Sequence, residues 1–555
     1  MVLCLPFALA LAFSSAFAAP FAAPKTAIFM LTVFVAGALV LPICSGWKLE
    51  REERYFWIAA AVYGLVTLVS AGISQNRELC IASVEWLVYG VLLFAVSRVV
   101  LGGEGRARYT RNLQISIAVA AVVVSLVTVA QFFRVDMKGA FGLYANSTGR
   151  MRMYGTLGNP DFVAAFLAVA LPATIGLWVT ARRLRAVWMA ASALIGVAAV
   201  LTGSRGGVIA LTSGVAVIAF SAMKGRGPGR AALLAAVVVA CALAAGTQLN
   251  ARTAWESLRG RVLIWQVSLG DGAGRSALGS GPGTFAYEYP ARLGRYFADP
   301  GHSALLHFAG HERHAQNDFV EAWHDGGWLG FGSLVALLGA WFVVAIRRLR
   351  GMDDAARSGV AAAIASVTAF CAAALFDFPM HRAETWALLW LLMAVPLVSA
   401  SPAPESHRRL NWFRSAGVVL LLVAAGNFAI APLAASYELA KGKADEDHGA
   451  MDSALTAYRA ALRWEPTSPD ANFDQIRALG KAGDYGGALA QSRLAVRFVN
   501  EPELYILRSR ILENAGRNDE AEREVEAAAR FFPYSTELRD EIGSFSGTGA
   551  AGEEP

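Results

Sequence analysis

Charge is what this sequence has least of. Of its 555 residues, 17% are Asp, Glu, Lys or Arg and 55% are hydrophobic, where a soluble chain carries about 25% charge. That shortage excludes an ordinary soluble enzyme. Cysteine is sparse as well. Five (Cys4, Cys44, Cys80, Cys241, Cys371) lie in or beside apolar segments, which leaves neither a disulfide framework nor a thiolate metal site. No GxxxxGK[ST] loop and no strand–GxGxxG–helix unit occurs, so nucleotide chemistry has no seat. The net charge of +6 comes from short basic clusters between apolar runs, and nucleic acid is not expected as a partner.

What the chain does have is apolar runs of about 20 residues, the length that crosses a ~30 Å hydrocarbon core. Spans are predicted near 2–20, 27–46, 55–73, 80–101, 113–133, 162–180, 185–201, 205–222, 231–248, 326–346, 357–376, 384–400 and 414–433. Residues 1–26 end their apolar run in AFAAP, like a signal-peptide cleavage site, but lack a basic n-region, so an uncleaved first helix is expected. The loops at 48–54, 106–111, 181–185, 224–230, 347–357 and 407–414 each hold three or four Lys/Arg, and the alternate short loops hold one at most. By the positive-inside rule the basic set is cytoplasmic. The loop 134–161, the long segment 249–325, the turn at 377–383 and everything after 433 then face outward.

The soluble tail repeats itself. AGDYGGALAQSRLAV (482–496) and AGRNDEAEREVEAAA (515–529) align at a shift of 33, with Gly483 on Gly516, Ala488 on Ala521 and Ala495 on Ala528. Ala454 and Ala461 precede the middle unit by 34, and Pro502 and Pro533 are read as repeat ends. This period resembles tetratricopeptide repeats over 434–540, a short α-solenoid able to bind a protein partner. A disordered tail over 541–555 follows.

The polar constellations fall on the outward side. Arg205, in LTGSRGG (201–207), stands at the end of an apolar helix and either serves a site or snorkels to the interface. Arg261 and Trp265, four apart, share a helical face. They either line a cavity or lie on headgroups and aromatic belt. GSGPGTF (279–285) follows as a turn. Five of eight histidines lie between 302 and 324. His307, His311 and His314 are spaced i, i+4, i+7, one helical face. HERH is not HExxH, so no metal is expected; the cluster is either a surface His-rich loop without chemistry or the seat of a general base, which a pKa near neutrality suits. HAQNDFVEAWHDGGWLGF (314–331) adds Gln316, Asn317 and Asp318 at the mouth of a span. FDFPMHRAE (376–384) adds Asp377, His381 and Arg382 as a polar turn between two apolar helices.

Taken in order, RMYGTLGNPDFVAAFLA (152–168), LTGSRGG, the Arg261–Trp265 pair with GSGPGTF, and HAQNDFVEAWHDGGWLGF with FDFPMHR make the chain resemble the O-antigen ligase / O-antigen polymerase (Wzy-C) superfamily over roughly 27–400. The resemblance implies an all-α, GT-C-like polytopic domain of 12 to 13 spans over 27–433, in a bacterial inner membrane with its catalytic loops and repeats periplasmic. It implies transfer of a glycan from undecaprenyl diphosphate to an acceptor hydroxyl on lipid A–core or another glycan, with no cofactor. His314, with His311 as alternate, would take the hydroxyl proton. Asn317 would hold a loop or hydroxyl. Arg205, Arg261 and Arg382 would bind the diphosphate, and Arg152, Trp265, Gln316, Asp318, Asp377 and His381 would line the cavity. The family often has His beside the Asn, where this chain has Gln316, which cannot serve as a base near pH 7. Ligase, polymerase and protein-glycan ligase share these motifs. A transporter or an assembly scaffold is the alternative from another class. Against a transporter, no inverted repeat is seen, and no charged residue lies at the midplane of a span apart from Glu85, near one end.

Overall fold

The computed structural model describes residues 1–40, 51–102, 105–135, 151, 153–181, 183–223, 251–270, 276–350, 352, 354–398 and 412–549. Helices make up the regular structure of these residues, and no strand occurs among them. Among the described residues seven helices are long and apolar enough to cross a membrane: Ala23–Val40, Glu53–Ile73, Arg77–Val100, Arg106–Phe132, Pro160–Thr180, Asp318–Arg350 and Ala356–Ala374. Shorter apolar helices stand at Arg185–Leu201, Arg205–Ser221 and Ala383–Leu397, where further spans are expected. The span expected near 231–248 lies outside the described residues.

The first segment differs from expectation. Its α-helix covers Leu5–Leu11 alone, far short of a crossing at 1.5 Å per residue. Ser14, Ser15 and Pro20 supply turn chemistry instead, and the Ser14 amide bonds the Pro20 carbonyl at 3.0 Å. The buried Lys25 ammonium donates to the carbonyls of Ala12 and of Thr156 (2.8 Å for the latter). The Ala12 oxygen is one that the end of the short helix leaves open, and the Thr156 oxygen lies in the turn before Pro160–Thr180.

Pro160–Thr180 is the axis of the bundle: 89% of its apolar window is buried. Around it pack Arg106–Phe132, Arg185–Leu201, Arg205–Met223 and Asp354–Ala374. Small residues set the spacing. A Cβ on Gly207 would meet that of Ala164 at 2.3 Å, and one on Gly214 would touch Ala369 and Pro172 at 3.0 Å. Loops of unlike charge collect at opposite ends. At the basic end, buried Glu53 pairs with Arg98 and, at 2.7 Å, with Arg348. At the other end the turns near 74–76 and 377–382 meet the segment 276–317, through Ser74 on Ser280 and the His314 ring on Phe378, and Gly206 stands beside Phe376.

The long helix Asp318–Arg350 is broken at Gly327 (φ 62°, ψ −163°). Gly279, Gly281 and Gly283 all take positive φ, which glycine alone adopts cheaply. They thread past the break: the Gly281 amide bonds the Asp325 carbonyl at 2.9 Å, and the Gly283 amide bonds the Asp325 carboxylate at 2.7 Å. GSGPGTF is thus the strap that locks the HDGG kink, with the polar turns from Asp318 before the break and the apolar helix after it.

The tail has no break at 434, because the helix Trp412–Asp447 runs through it. Helix starts then recur after 33 residues, from Pro469 to Pro502 and from Tyr485 to Asn518. Gly449, Gly483 and Gly516 each turn with positive φ. Ala454, Ala488 and Ala521 are fully buried where the helices cross. Pro502 opens a helix instead of closing a repeat, as proline at the first helical position does.

Candidate active site

The HAQN stretch is a loop, not a helical face. A 3₁₀ turn covers Pro300–Phe308, and the next helix starts at Asp318, so His307, His311 and His314 do not align as their spacing predicts. The Asn317 side chain accepts from the amides of Phe319 (2.9 Å) and Val320 (3.2 Å). It is spent on capping the helix. Gln316 sits at φ 54°, a left-handed conformation that costs a non-glycine residue about a kcal/mol or more. Its amide donates to Glu312 at 3.2 Å.

The cap aims the first helical turn back at the loop. Buried Glu321 accepts the Ala315 amide at 2.9 Å on Oε2. Its Oε1 lies 3.0 Å from His314 Nδ1 and 3.1 Å from His381 Nε2. The His314 ring stacks on Phe378 at 4.3 Å and stands 4.5 Å from the His381 ring. Asp318 accepts the Met380 amide at 3.0 Å, which ties the 377–382 turn to the same helix.

The two imidazoles are not equivalent. Burial pulls both toward the neutral form. For His314 the Glu321 charge and hydrogen bond outweigh burial, and its pKa is raised. For His381 burial wins over Glu321, and its pKa falls to about 4. His381 is therefore neutral, with Nε2 standing 3.1 Å from Glu321. His314 is the one that takes a proton: Nδ1–H toward Glu321 leaves Nε2 as the basic atom, on a residue whose side chain is 28% exposed. This is the orienting logic of a carboxylate–histidine pair.

Cations stand nearby. Arg205 opens its helix beside the turn, since a Cβ on Gly206 would lie 2.9 Å from that of Phe376. Arg261 acts electrostatically on both Asp377 and Glu312. Neither arginine is paired with a carboxylate among the described residues. Arg382 is engaged, lying 4.1 Å over the Phe162 ring and 3.3 Å from Glu384. Trp265 donates to the Ala315 carbonyl at 3.0 Å and fastens the Arg261 helix to the loop. Asp377 is driven up to about 7 by burial and by Asp161, with Arg261 and Arg382 opposing. On the far side of Glu321 a cavity of about 340 Å³ is lined by Asp318, Glu321, His381, Ser83, Glu85 and Trp86.

Ligand atoms of His314, Glu321 and His381 lie within 4.8 Å of one another and could hold a metal ion. Within the group His314 is hydrogen-bonded to Glu321 at 3.0 Å, and His381 Nε2 approaches the same oxygen at 3.1 Å.

Of the expected residues, His314, Gln316, Asn317, Asp318, Trp265, Asp377, His381 and Arg382 gather at this end. His311 turns away, its Nε2 2.9 Å from Glu501 in the tail. Arg152 lies outside the described residues. Glu321 stands with these residues in the sequence but carries no role there: an acidic first-turn residue is ordinary at a helix N-terminus, and its partner His381 lies 60 residues on.

Residues 190–335 match the model of a family described as O-antigen ligase. No protein of curated function matches the chain.

Proposed function

Proceeding from the O-antigen ligase family domain that the chain carries over 190–335, whose general chemistry is glycosyl transfer at a membrane, we propose a specific reaction. The chain moves a glycan from undecaprenyl diphosphate to an acceptor hydroxyl on the outward face. His314 Nε2 removes the hydroxyl proton while the oxygen attacks the anomeric carbon. The bond from that carbon to the diphosphate oxygen breaks, and undecaprenyl diphosphate leaves with the electron pair. Arg205 and Arg261 neutralise it, guanidinium being suited to two phosphate oxygens at once. The outward orientation follows from the Lys/Arg distribution among the loops.

One observation carries this reading: Glu321 Oε1 sits between His314 and His381 and leaves His314 as the open base. The test is the glycan profile of a deletion strain complemented with wild type, His314→Ala or Arg261→Ala. Long chains stranded on the lipid carrier over bare lipid A–core identify a ligase. Single repeat units identify a polymerase. A normal profile from both variants removes the catalytic reading and favours a transporter or scaffold.

A further inference from the structure

The tail grips the catalytic loop. Arg313 Nη2 is 2.8 Å from Asp470, in the first turn of helix Pro469–Lys481. His311 is 2.9 Å from Glu501, the N-cap position of helix Pro502–Asn514. These loop residues stand one and three positions before His314.

The grip extends along the segment. The Tyr287 hydroxyl donates to the Val496 carbonyl at 3.3 Å, and Asn500 donates to the Tyr287 carbonyl at 3.1 Å. Arg497 pairs with Glu78 at 2.5 Å, and Asn76 donates to the Arg497 carbonyl. Gly294 is so close to the Phe531 carbonyl that an added Cβ would lie 2.1 Å from it. Tyr534 packs on the small apolar core of the segment, built on Leu263, Phe285 and Leu293. The helix Trp412–Asp447 passes from an apolar stretch into the first repeat without a break, and the Ala19 amide bonds Ser436 on it at 2.9 Å. The tail is therefore joined to the membrane domain by a continuous helix, not a flexible linker.

We propose that the tail is a clamp acting within its own chain, with Glu501 and Asp470 as positioning residues that hold the loop 309–317 so that His314 meets Glu321. The exposed Arg313–Asp470 pair adds little by itself, while the His311–Glu501 pair is largely shielded, at 23% and 15% exposure. The left-handed Gln316 needs such outside support, because a strained backbone persists only where its surroundings impose it. The inference rests on the transfer reading for its kinetic consequence but not for its physical one.

The experiment uses the full-length chain in detergent micelles and in proteoliposomes. Hydrogen–deuterium exchange is compared for wild type, Glu501→Ala and the Asp470→Ala/Glu501→Ala pair. Exchange over 309–317 should speed up in the variants, with Asp354–Ala374 unchanged as the check on folding. Turnover should fall roughly tenfold, since small misplacement of a reacting group is costly. KM for the lipid-linked donor should stay put, and Glu501→Asp should restore most of the rate. Unchanged exchange over 309–317 overturns the clamp whatever the reaction is. Faster exchange with unaltered turnover overturns the positioning role. Full transfer by His314→Ala, run alongside, overturns the transfer reading and leaves the exchange result standing.

Discussion

Two buried glutamates, at opposite ends of the bundle, are each paired with cationic-type side chains and do different work. Glu53 has Arg98 and Arg348. Glu321 has His314 and His381. Arginine stays charged at every accessible pH, so the Glu53 group is a fixed lock among three helices. Histidine changes charge near neutrality, so the Glu321 group can accept and return a proton. The partner, more than the buried acid, decides which cluster is structural and which is chemical.

Replacing each glutamate separates the two roles most sharply. Glu53→Ala leaves two guanidiniums without their buried counter-ion, a loss on the order of 3–5 kcal/mol. It should lower the yield of folded protein on size-exclusion while the surviving fraction turns over normally. Glu321→Gln should do the reverse, with normal yield and turnover reduced by about 10²-fold or more, the scale of a lost general-base arrangement.

A pH profile sharpens the comparison further. His314 has a raised pKa and works unprotonated. Transfer should therefore be lost as pH falls through a value above the ordinary ~6.5 of histidine. In Glu321→Gln the carboxylate that raises it is gone, and the acidic limb should shift to lower pH. A limb that stays in place would mean that another group titrates. Asp377, at about 7, is the neighbour to check by Asp377→Asn.

The smallest expected effect is that of chelation. The His–Glu–His group is proposed to work as hydrogen-bond partners, so dialysis against EDTA should leave turnover unchanged. A loss restored by one divalent ion would turn the group into a metal centre.

The helical spans were legible because apolar length is a local signal, and the tail because its period is printed in repeated Gly and Ala. The family resemblance singled out His314, which the structure places 3.0 Å from Glu321. What was not legible depends on chain reversals. Asn317 reads as a polar site residue, yet its oxygen is used by the amides of Phe319 and Val320. His311 and His314 look equivalent until the loop turns one to the tail and the other to Glu321. The Leu5–Leu11 helix stops early because a buried Lys25 and the Ser14–Pro20 turn outweigh an apolar composition.

The most direct measurement is transfer by the purified chain in proteoliposomes with a diphosphate-linked donor, comparing His314→Ala with wild type at matched folded protein. A loss of roughly 10²- to 10⁴-fold with donor binding retained is the predicted result. Wild-type turnover by His314→Ala would contradict the account at its centre.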